Sequence, residues 1–506
     1  MMNFQKSVKN MVWTVLCQIA LLMLSFVSRS VFIHFLSVEY LGISGLFSNI
    51  LTLLSFTELG IGNVMVFSLY EPLKQNDKER INSLLILYKK AYMGIALTIL
   101  SIGTILLPFV PQLIREVPDI PENICFLYAL YLLNTVVSYL ATYKKSVLLA
   151  DQKAYVVNIA VNISHAVLIV VQCAALYVTK SFTAYLICQI ASTFLTNVVL
   201  TCIVNKQYRS ILSNHASPLP EKERRKIFNN IKALAISKVS GVVSSGTDNI
   251  IISTMFGLRP VGLVANYTML INSVNNVFYS ALTSISSSIG NFNVDSDIEA
   301  RNRVFSELFL AVFFLYSFVC TCLFVLVQPF VSLWIGNDYL VSLPVLFHLV
   351  LGIYVGGMNY PVYSFRTTKG YFKEVQFVYI ACAMTNVGLS ILFGKLMGVA
   401  GVFMATWVSK FVLTEVADSY YTYKKILEKK HTLYFIKYGC FFAVEVVNTI
   451  CCWGLVAAIP FSGWVGFALK AGLCAFMNLL INTIVFCRTS AFKCLWMRVC
   501  SIVQKV

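Results

Sequence analysis

The sequence predicts an all-α integral membrane protein with about 14 transmembrane helices, arranged as two pseudo-symmetric six-helix bundles plus a C-terminal helix pair. Three observations predict this. The 506 residues are 58% hydrophobic and only 12% charged, too few charges to cover a soluble protein of this size. The apolar residues fall in long runs instead of at helical or strand periodicity. Lysine and arginine collect in alternate loops, as they do when loops alternate between two sides of a bilayer.

The helices follow in order. Runs 12–36, 41–69, 84–108, 124–142, 155–178 and 183–204 form the N-terminal six-helix bundle, residues 1–205. The first run is too long for a cleavable signal, and no small-residue cleavage site follows it. Residues 206–232 form a cytoplasmic basic connector, in which "EKERRK" at 221–226 reads as a solvated loop. Runs 233–256, 261–289, 304–327, 340–364, 375–394 and 399–422 form the C-terminal six-helix bundle, 233–424. Runs 438–459 and 464–487 are helices 13 and 14, which with a cytoplasmic tail make up 425–506. With both termini inside, thirty-two of the 39 lysines and arginines lie on the inner side. The outer loops keep only Arg115, Lys180, Arg259 and Lys395.

The two bundles repeat one another. The step "FLSVEYLGISGLF" carries Gly42 and the step "MFGLRPVGLVANY" carries Gly262, 220 residues later. Arg80 and Arg301, and Lys153 and Lys373, recur at nearly the same offset. Six helices separate the copies, an even number. Both copies therefore have the same orientation, and a cavity is expected between them about an axis along the membrane normal.

Several classes are excluded. The net charge of +17 is what positive inner loops and attraction to anionic lipid produce, and nucleic acid is not an expected partner. No phosphate-binding loop of the G-x-x-x-x-G-K-[ST] type occurs. The outer loops are too short for a catalytic domain, so the chain is read as a transporter and not an enzyme, with no catalytic residues. The "DSD" at 295–297 reads as a polar loop, and the 15 cysteines show no metal-ligand spacing. No metal site and no cofactor are expected.

Polar residues inside apolar runs are the candidate site, because charge within a membrane helix usually faces a wet cavity or a partner. Helix 1 aligns Gln18, Ser25 and Arg29 on one face. Helix 2 aligns Ser44, Ser48, Leu51, Ser55, Glu58 and Gly62. Helix 7 aligns Lys238, Gly241, Ser245 and Asp248, and helix 8 carries Asn266, Asn272, Asn275, Asn276 and Tyr279. Small and polar residues also glue membrane helices together, which is the competing reading for the serines and glycines. Glu445 and Lys470 lie well inside helices 13 and 14.

A late arginine in helix 1, then "VEYLGISGLFSNI" and "TELGIGNVMVFSLYEPL", resembles the polysaccharide transporter branch of the multidrug/oligosaccharidyl-lipid/polysaccharide (MOP) exporter superfamily. "DNIIISTMFG" and "LWIGNDY" fit the same pattern, and the resemblance covers essentially the whole chain. It implies a MATE-like pair of bundles and a Wzx-type flippase. Such a protein moves an undecaprenyl-pyrophosphate-linked oligosaccharide (O-antigen, capsule or a related glycan unit) by alternating access without ATP. It also implies a monomer in the bacterial inner (cytoplasmic) membrane, with membrane lipid, the lipid-linked glycan and a glycan polymerase or glycosyltransferases as partners. Coupling to H+ or Na+ is left open. The alternatives are a lipid II flippase, which shares the count of fourteen helices, and a multidrug cation antiporter, which an acidic cavity without Arg29 would suit better.

On this resemblance, pyrophosphate and sugar meet Arg29, Ser48, Ser55, Lys238, Ser245, Asn272 and Asn276. Arg29 takes the phosphate, since a guanidinium pairs bidentately with its oxygens. Arg29 and Asp248 lie at similar depth and are expected to seal the outer side. Glu58, nearer the inner side, is a further gate or coupling residue with Lys238 as its candidate partner. Glu445 and Lys470 either pair or flank a groove for the lipid tail.

Overall fold

The computed structural model describes residues 22–58, 61–116, 118–151, 153–209, 219–225, 227–229, 231, 246–284, 289, 297–371, 373–460 and 463–503. The chain forms two compact units, Met1–Gly262 and Leu263–Val506.

In the first unit, α1 (Leu22–Phe35) is followed by α2 (Val38–Leu54). The expected single run 41–69 is broken. After α2 a 3-10 turn covers Ser55–Glu58, and α3 resumes at Ile61–Gln75. The sequence explains the break. Ser55 competes with the backbone for hydrogen bonds, its hydroxyl donating back to the Leu51 carbonyl at 2.8 Å. α4 (Lys78–Leu106) starts at Asp77, whose carboxylate accepts from the Arg80 amide at 3.0 Å. It ends in a 3-10 turn, Leu107–Leu113, where Pro108 and Pro111 cannot donate to an α ladder. α5 (Ile124–Tyr139) and α6 (Thr142–Ala150) form one run bent by 41°. α7 (Ala154–Thr179) and α8 (Phe182–Gln207) pack as an antiparallel pair.

The core of this unit is aromatic. Phe32 meets Phe182 and Tyr185 edge-on at 5.9 and 5.3 Å, and Phe47 meets Tyr128 and Tyr131 at 5.3 and 5.6 Å. The stretch read as a solvated loop is mostly exposed, as expected, but it is helix and not loop. Residues 221–225 are helical, Ile227 is buried, and Glu223 accepts from the Arg80 guanidinium at 2.8 Å.

Within the apolar run 233–256 the described helix is α9 (Asp248–Phe256), and α10 (Leu258–Ser284) follows after Gly257. α9 packs on α2 within the first unit. Its Ser253 hydroxyl donates to the Leu113 carbonyl at 2.8 Å, and the Arg115 guanidinium donates to the Met255 carbonyl at 2.7 Å.

The second unit is built on α11 (Ile298–Ile335), a 38-residue helix about 57 Å long at 1.5 Å per residue. Asp297 caps it, accepting from the Ala300 amide at 2.8 Å. α12 (Leu343–Met358) runs into α13 (Tyr360–Thr368), and α14 (Gln376–Met397) packs closely on α15 (Val399–Ile426). α15 widens into π-helix over Lys410–Glu415 and Tyr421–Ile426. α16 (Thr432–Ala457), α17 (Gly463–Phe486) and α18 (Ser490–Val503) all pack on α11.

Each of the fourteen apolar runs contains helix where it is described, with the breaks at Ser55–Glu58 and after Tyr139. Among the described residues nine helices are long and apolar enough to cross a membrane, and ten if the bent pair counts as one span. Of the other four runs, those of α1 and α9 are described only in part, α2 and α3 are separated by the turn, and α10 is long but carries four asparagines.

Candidate functional site

Arg29 is half-buried on α1. Its electrostatic neighbours are the phenols of Tyr185 on α8 and Tyr131 on α5. Both tyrosines are fixed from elsewhere. The Tyr131 hydroxyl donates to Ser44 Oγ at 2.7 Å, and the Tyr185 carbonyl accepts from the Gln172 amide at 3.2 Å. Among the described residues no carboxylate forms an ion pair with Arg29. The guanidinium therefore stands among neutral phenols, an arrangement that can receive an anion.

The helix 2 residues fall in two places. Ser48 is exposed on α2, and its carbonyl accepts from Thr52 Oγ1 at 2.7 Å. Leu51, on the same predicted polar face, is buried, so that face is not uniformly open. Ser55 and Glu58 lie in the 3-10 turn, with Glu58 in electrostatic reach of the stacked pair Tyr92 and Tyr139. Asp248 is the first residue of α9. Lys238, Gly241, Ser245 and Gln18 lie outside the described residues.

In the second unit, Asn272 and Asn276 are exposed one turn apart on α10, while Asn275 accepts from the Tyr316 hydroxyl at 3.1 Å. Glu445 does not pair with Lys470 among the described residues. Its Oε1 accepts from Thr321 at 3.0 Å and from Thr449 at 3.4 Å. Beside it Asn448, Asn478 and Asn482 converge on Ser317 Oγ at 3.3, 3.2 and 3.1 Å, which ties α16 and α17 to α11. Glu445 lines a cavity of about 320 Å³ at the junction of α11, α12 and α16, and Lys470 does not.

Sequence reasoning missed a buried ion pair. Arg366 on α13 and Asp418 on α15 meet at 2.7 Å with side chains 3% and 0% exposed. The Tyr379 hydroxyl on α14 donates to the same carboxylate at 2.8 Å. One turn earlier Glu415 accepts from the Tyr434 hydroxyl. Two acids three residues apart in the apolar run "VLTEVADSYY" were the available signal. One π-helical stretch ends at Glu415 and the other begins after Asp418, at Tyr421, and such widenings often accompany functional residues.

No protein-family model matches the chain, and no curated protein sequence matches it. Solved structures do match. The lipid II flippase MurJ in its inward closed conformation superposes with a TM-score of 0.66 at 14% identity, over 94% of this chain and 99% of that one. The inward-facing conformation of a multidrug resistance MATE family transporter of the MOP superfamily gives 0.57 at 13% identity, over 80% and 96%. The Vibrio cholerae MATE transporter VcmN in its bent form gives 0.52 at 16% identity, over 85% and 98%. At these identities the likeness is one of fold: this chain is an all-α, multi-pass membrane protein whose fold is shared with these transporters.

Proposed function

We propose that the protein is a flippase that carries an undecaprenyl-pyrophosphate-linked oligosaccharide from the inner to the outer leaflet by alternating access. The observation that carries this reading is Arg29, a guanidinium inside an apolar helix with phenols and no ion-paired carboxylate around it among the described residues. A lipid pyrophosphate brings the matching charge into the low-dielectric core. The sugar head passes Ser48, Ser55, Asn272 and Asn276, joined by Lys238 and Ser245. Fourteen spans form two six-helix bundles and a C-terminal pair in the bacterial cytoplasmic membrane, with both termini inside. Arg29 and Asp248 seal the outer side, and Glu58 serves the inner gate or ion coupling. The polyprenyl tail stays in lipid beside α16 and α17, the helices of Glu445 and Lys470.

A second reading, a lipid II flippase, is favoured by the match of MurJ over nearly the whole of both chains. Both substrates carry a pyrophosphate, so Arg29 serves either.

The test is transport by the full chain in liposomes carrying a fluorescent lipid-linked oligosaccharide or fluorescent lipid II, with a quencher outside. Arg29→Ala is expected to slow flipping about 10- to 100-fold, the loss of a charge-assisted hydrogen bond. An alanine variant that flips at the full rate sinks the role of Arg29, and faster flipping of lipid II selects the second reading.

A further inference from the structure

The last helix of the second unit, α18, begins afresh after a turn at the end of α17. The Thr489 hydroxyl oxygen accepts from the Phe492 amide at 3.3 Å and caps its start. Phe492, Leu495 and Trp496, at steps of three and one, share one helix face. Phe492 rests on Phe314 of α11 at 5.8 Å. Trp496 and Met497 are 60% and 61% exposed, so the protein covers the apolar side of α18 only in part.

The position of α18 along α17 is that of a membrane interface. At the far end of α17, Trp464 lies against Phe330 at 5.9 Å, and Trp334 lies against the same ring at 5.8 Å. Tryptophan collects at the edge of the hydrocarbon. From Trp464 to Phe486 is about 33 Å at 1.5 Å per residue, close to the roughly 30 Å of a hydrocarbon core. α18 therefore starts at the opposite edge.

Cations gather at that edge. Residues 424–437 carry Lys424, Lys425, Lys429, Lys430 and Lys437 against Glu428 alone, and 487–506 carry four cations and no acid. Phe441 of α16 meets Phe486 of α17 at 5.4 Å. Lys437 precedes Phe441 by one turn and Arg488 follows Phe486 by two residues, so the two groups lie at adjacent helix ends. Lys429, Lys437, Arg488 and Lys493 are exposed, and among the described residues none of them is ion-paired with a carboxylate. Lys437 is in electrostatic reach of Lys429. Like charges held together repel unless an anion lies between them.

An occupant must be anionic to match these cations and apolar to cover Trp496 and Met497. Inorganic phosphate covers no apolar surface, and a zwitterionic lipid brings no net charge. A phospholipid with a negative head group meets both conditions. We infer that α18 lies in the membrane interface and, with the lysines at the start of α16, forms a binding site for an anionic phospholipid, its head group among Lys437, Arg488 and Lys493 and its acyl chains over Trp496. The inference rests on α17 crossing the bilayer and not on the flippase reading.

The experiment uses the full chain in phosphatidylcholine nanodiscs and a phosphatidylglycerol bearing a diazirine in one acyl chain. After photolysis, labelled peptides are mapped by mass spectrometry. Saturable labelling is expected on 432–441 and 488–503, competed by unlabelled phosphatidylglycerol but not by phosphatidylethanolamine or inorganic phosphate. Arg488→Gln with Lys493→Gln should raise the half-saturating mole fraction about 25-fold, or about fivefold for each cation removed beside an anionic head group. Lys429→Gln with Lys437→Gln should do the same. All four side chains are exposed, so these substitutions leave the core untouched. Equal competition by phosphatidylethanolamine, or full competition by phosphate, overturns the assignment. So do unchanged double variants, or labelling as strong at the basic helix ends of the first unit, which a diffuse positive surface would give.

Discussion

Gly42 and Gly262, 220 residues apart and equivalent in the two sequence repeats, meet backbone to backbone inside the first unit. A methyl group on Gly42 would lie 2.9 Å from the Leu258 carbonyl carbon and closer still to its oxygen. One on Gly262 would lie 2.9 Å from Val38 Cγ2 and 3.1 Å from the Gly42 amide nitrogen. The bareness of both residues is what lets α2 and the start of α10 approach, as small residues do between membrane helices. Gly42→Ala and Gly262→Ala should therefore each lose about 1–3 kcal/mol, the usual consequence of overpacking. Gly94→Ala is the control, because a methyl there meets nothing within 4 Å and should be neutral or slightly stabilising. Thermal unfolding in detergent measures all three, and equal midpoints would remove the close-approach argument.

Arg366 and Asp418 make a second prediction. Removing one partner of a buried pair leaves an uncompensated charge, so Arg366→Met or Asp418→Leu alone should lose about 3–5 kcal/mol. The double variant should recover much of that loss, since a well-packed apolar pair often replaces a buried ion pair at little net change. A double-mutant cycle from denaturant unfolding reads the coupling, and strict additivity would mean that the pair is not the stabilising unit.

How legible these features are in the sequence depends on range. Long apolar runs such as α4, α7, α8 and α11 are readable because their hydropathy is local and unbroken. The turn at Ser55–Glu58 and the bend after Tyr139 are not, because Ser, Thr and Glu can still continue a helix when packing favours it. Arg29 and Glu445 stand out as charges inside apolar runs. Arg366 does not, because the positive-inside pattern already accounts for a cation at that place in the chain. Its meeting with Asp418 depends on the packing of α13 against α15, which no local pattern encodes. The Gly42–Gly262 offset is legible as a repeat, but the contact between the two glycines is not.

Ser317 gives a third prediction. Its hydroxyl oxygen receives Asn448, Asn478 and Asn482, and through them α16 and α17 hold α11. Ser317→Ala should lose about 1–2 kcal/mol, the scale of interhelical hydrogen bonds in membranes. Proteolysis between α16 and α17, near residue 460, should speed up. A Ser317→Ala variant as resistant as the parent would show that the apolar contacts of α16 and α17 suffice.

The turn between α6 and α7 sets a pH window. Burial alone would raise the Asp151 carboxyl, but Lys153 at 2.7 Å and the Tyr208 hydroxyl at 2.5 Å outweigh it and hold the carboxyl below its ordinary range. The Asp151 carboxylate raises Lys153 in turn. Burial and the hydrogen bond to Asp151 push the Tyr208 phenol up to about 12. The carboxylate's contribution is present above about pH 3.9 and is lost as pH falls through its depressed folded value. The contributions of lysine and phenol are full below about pH 10 and are lost as pH rises through their raised values. The corner is half exposed, so its net worth is under about 1 kcal/mol. Hydrogen exchange at residues 150–156 should show protection that is flat across neutral pH and falls at both extremes, and Asp151→Asn should abolish the acid limb. An acid limb that survives in that variant would place its origin elsewhere.

The outer seal proposed for Arg29 and Asp248 makes the last prediction. Arg29 precedes the end of α1 at Phe35 by about 9 Å, and Asp248 precedes the end of α9 at Phe256 by about 12 Å, at 1.5 Å per residue. The two side chains are therefore at similar distances from the ends of their helices. Arg29 has Tyr131 and Tyr185 as neutral neighbours, which leaves its charge available to a carboxylate or to a phosphate. An arriving pyrophosphate would compete with Asp248 for the guanidinium, and binding would then weaken the seal by the difference in affinity between the two states. In a background without the native cysteines, Arg29→Cys with Asp248→Cys should cross-link through a short bifunctional reagent when no substrate is present. Because that pair lacks the guanidinium, the substrate arm uses the intact residues. Asp248→Asn should open the outer side to a membrane-impermeant thiol reagent at an outer cysteine without substrate, and added lipid pyrophosphate should produce the same opening in the parent but no further change in the variant. A cysteine pair that does not cross-link, or an outer side equally closed in Asp248→Asn, ends the proposal that these two residues form the seal.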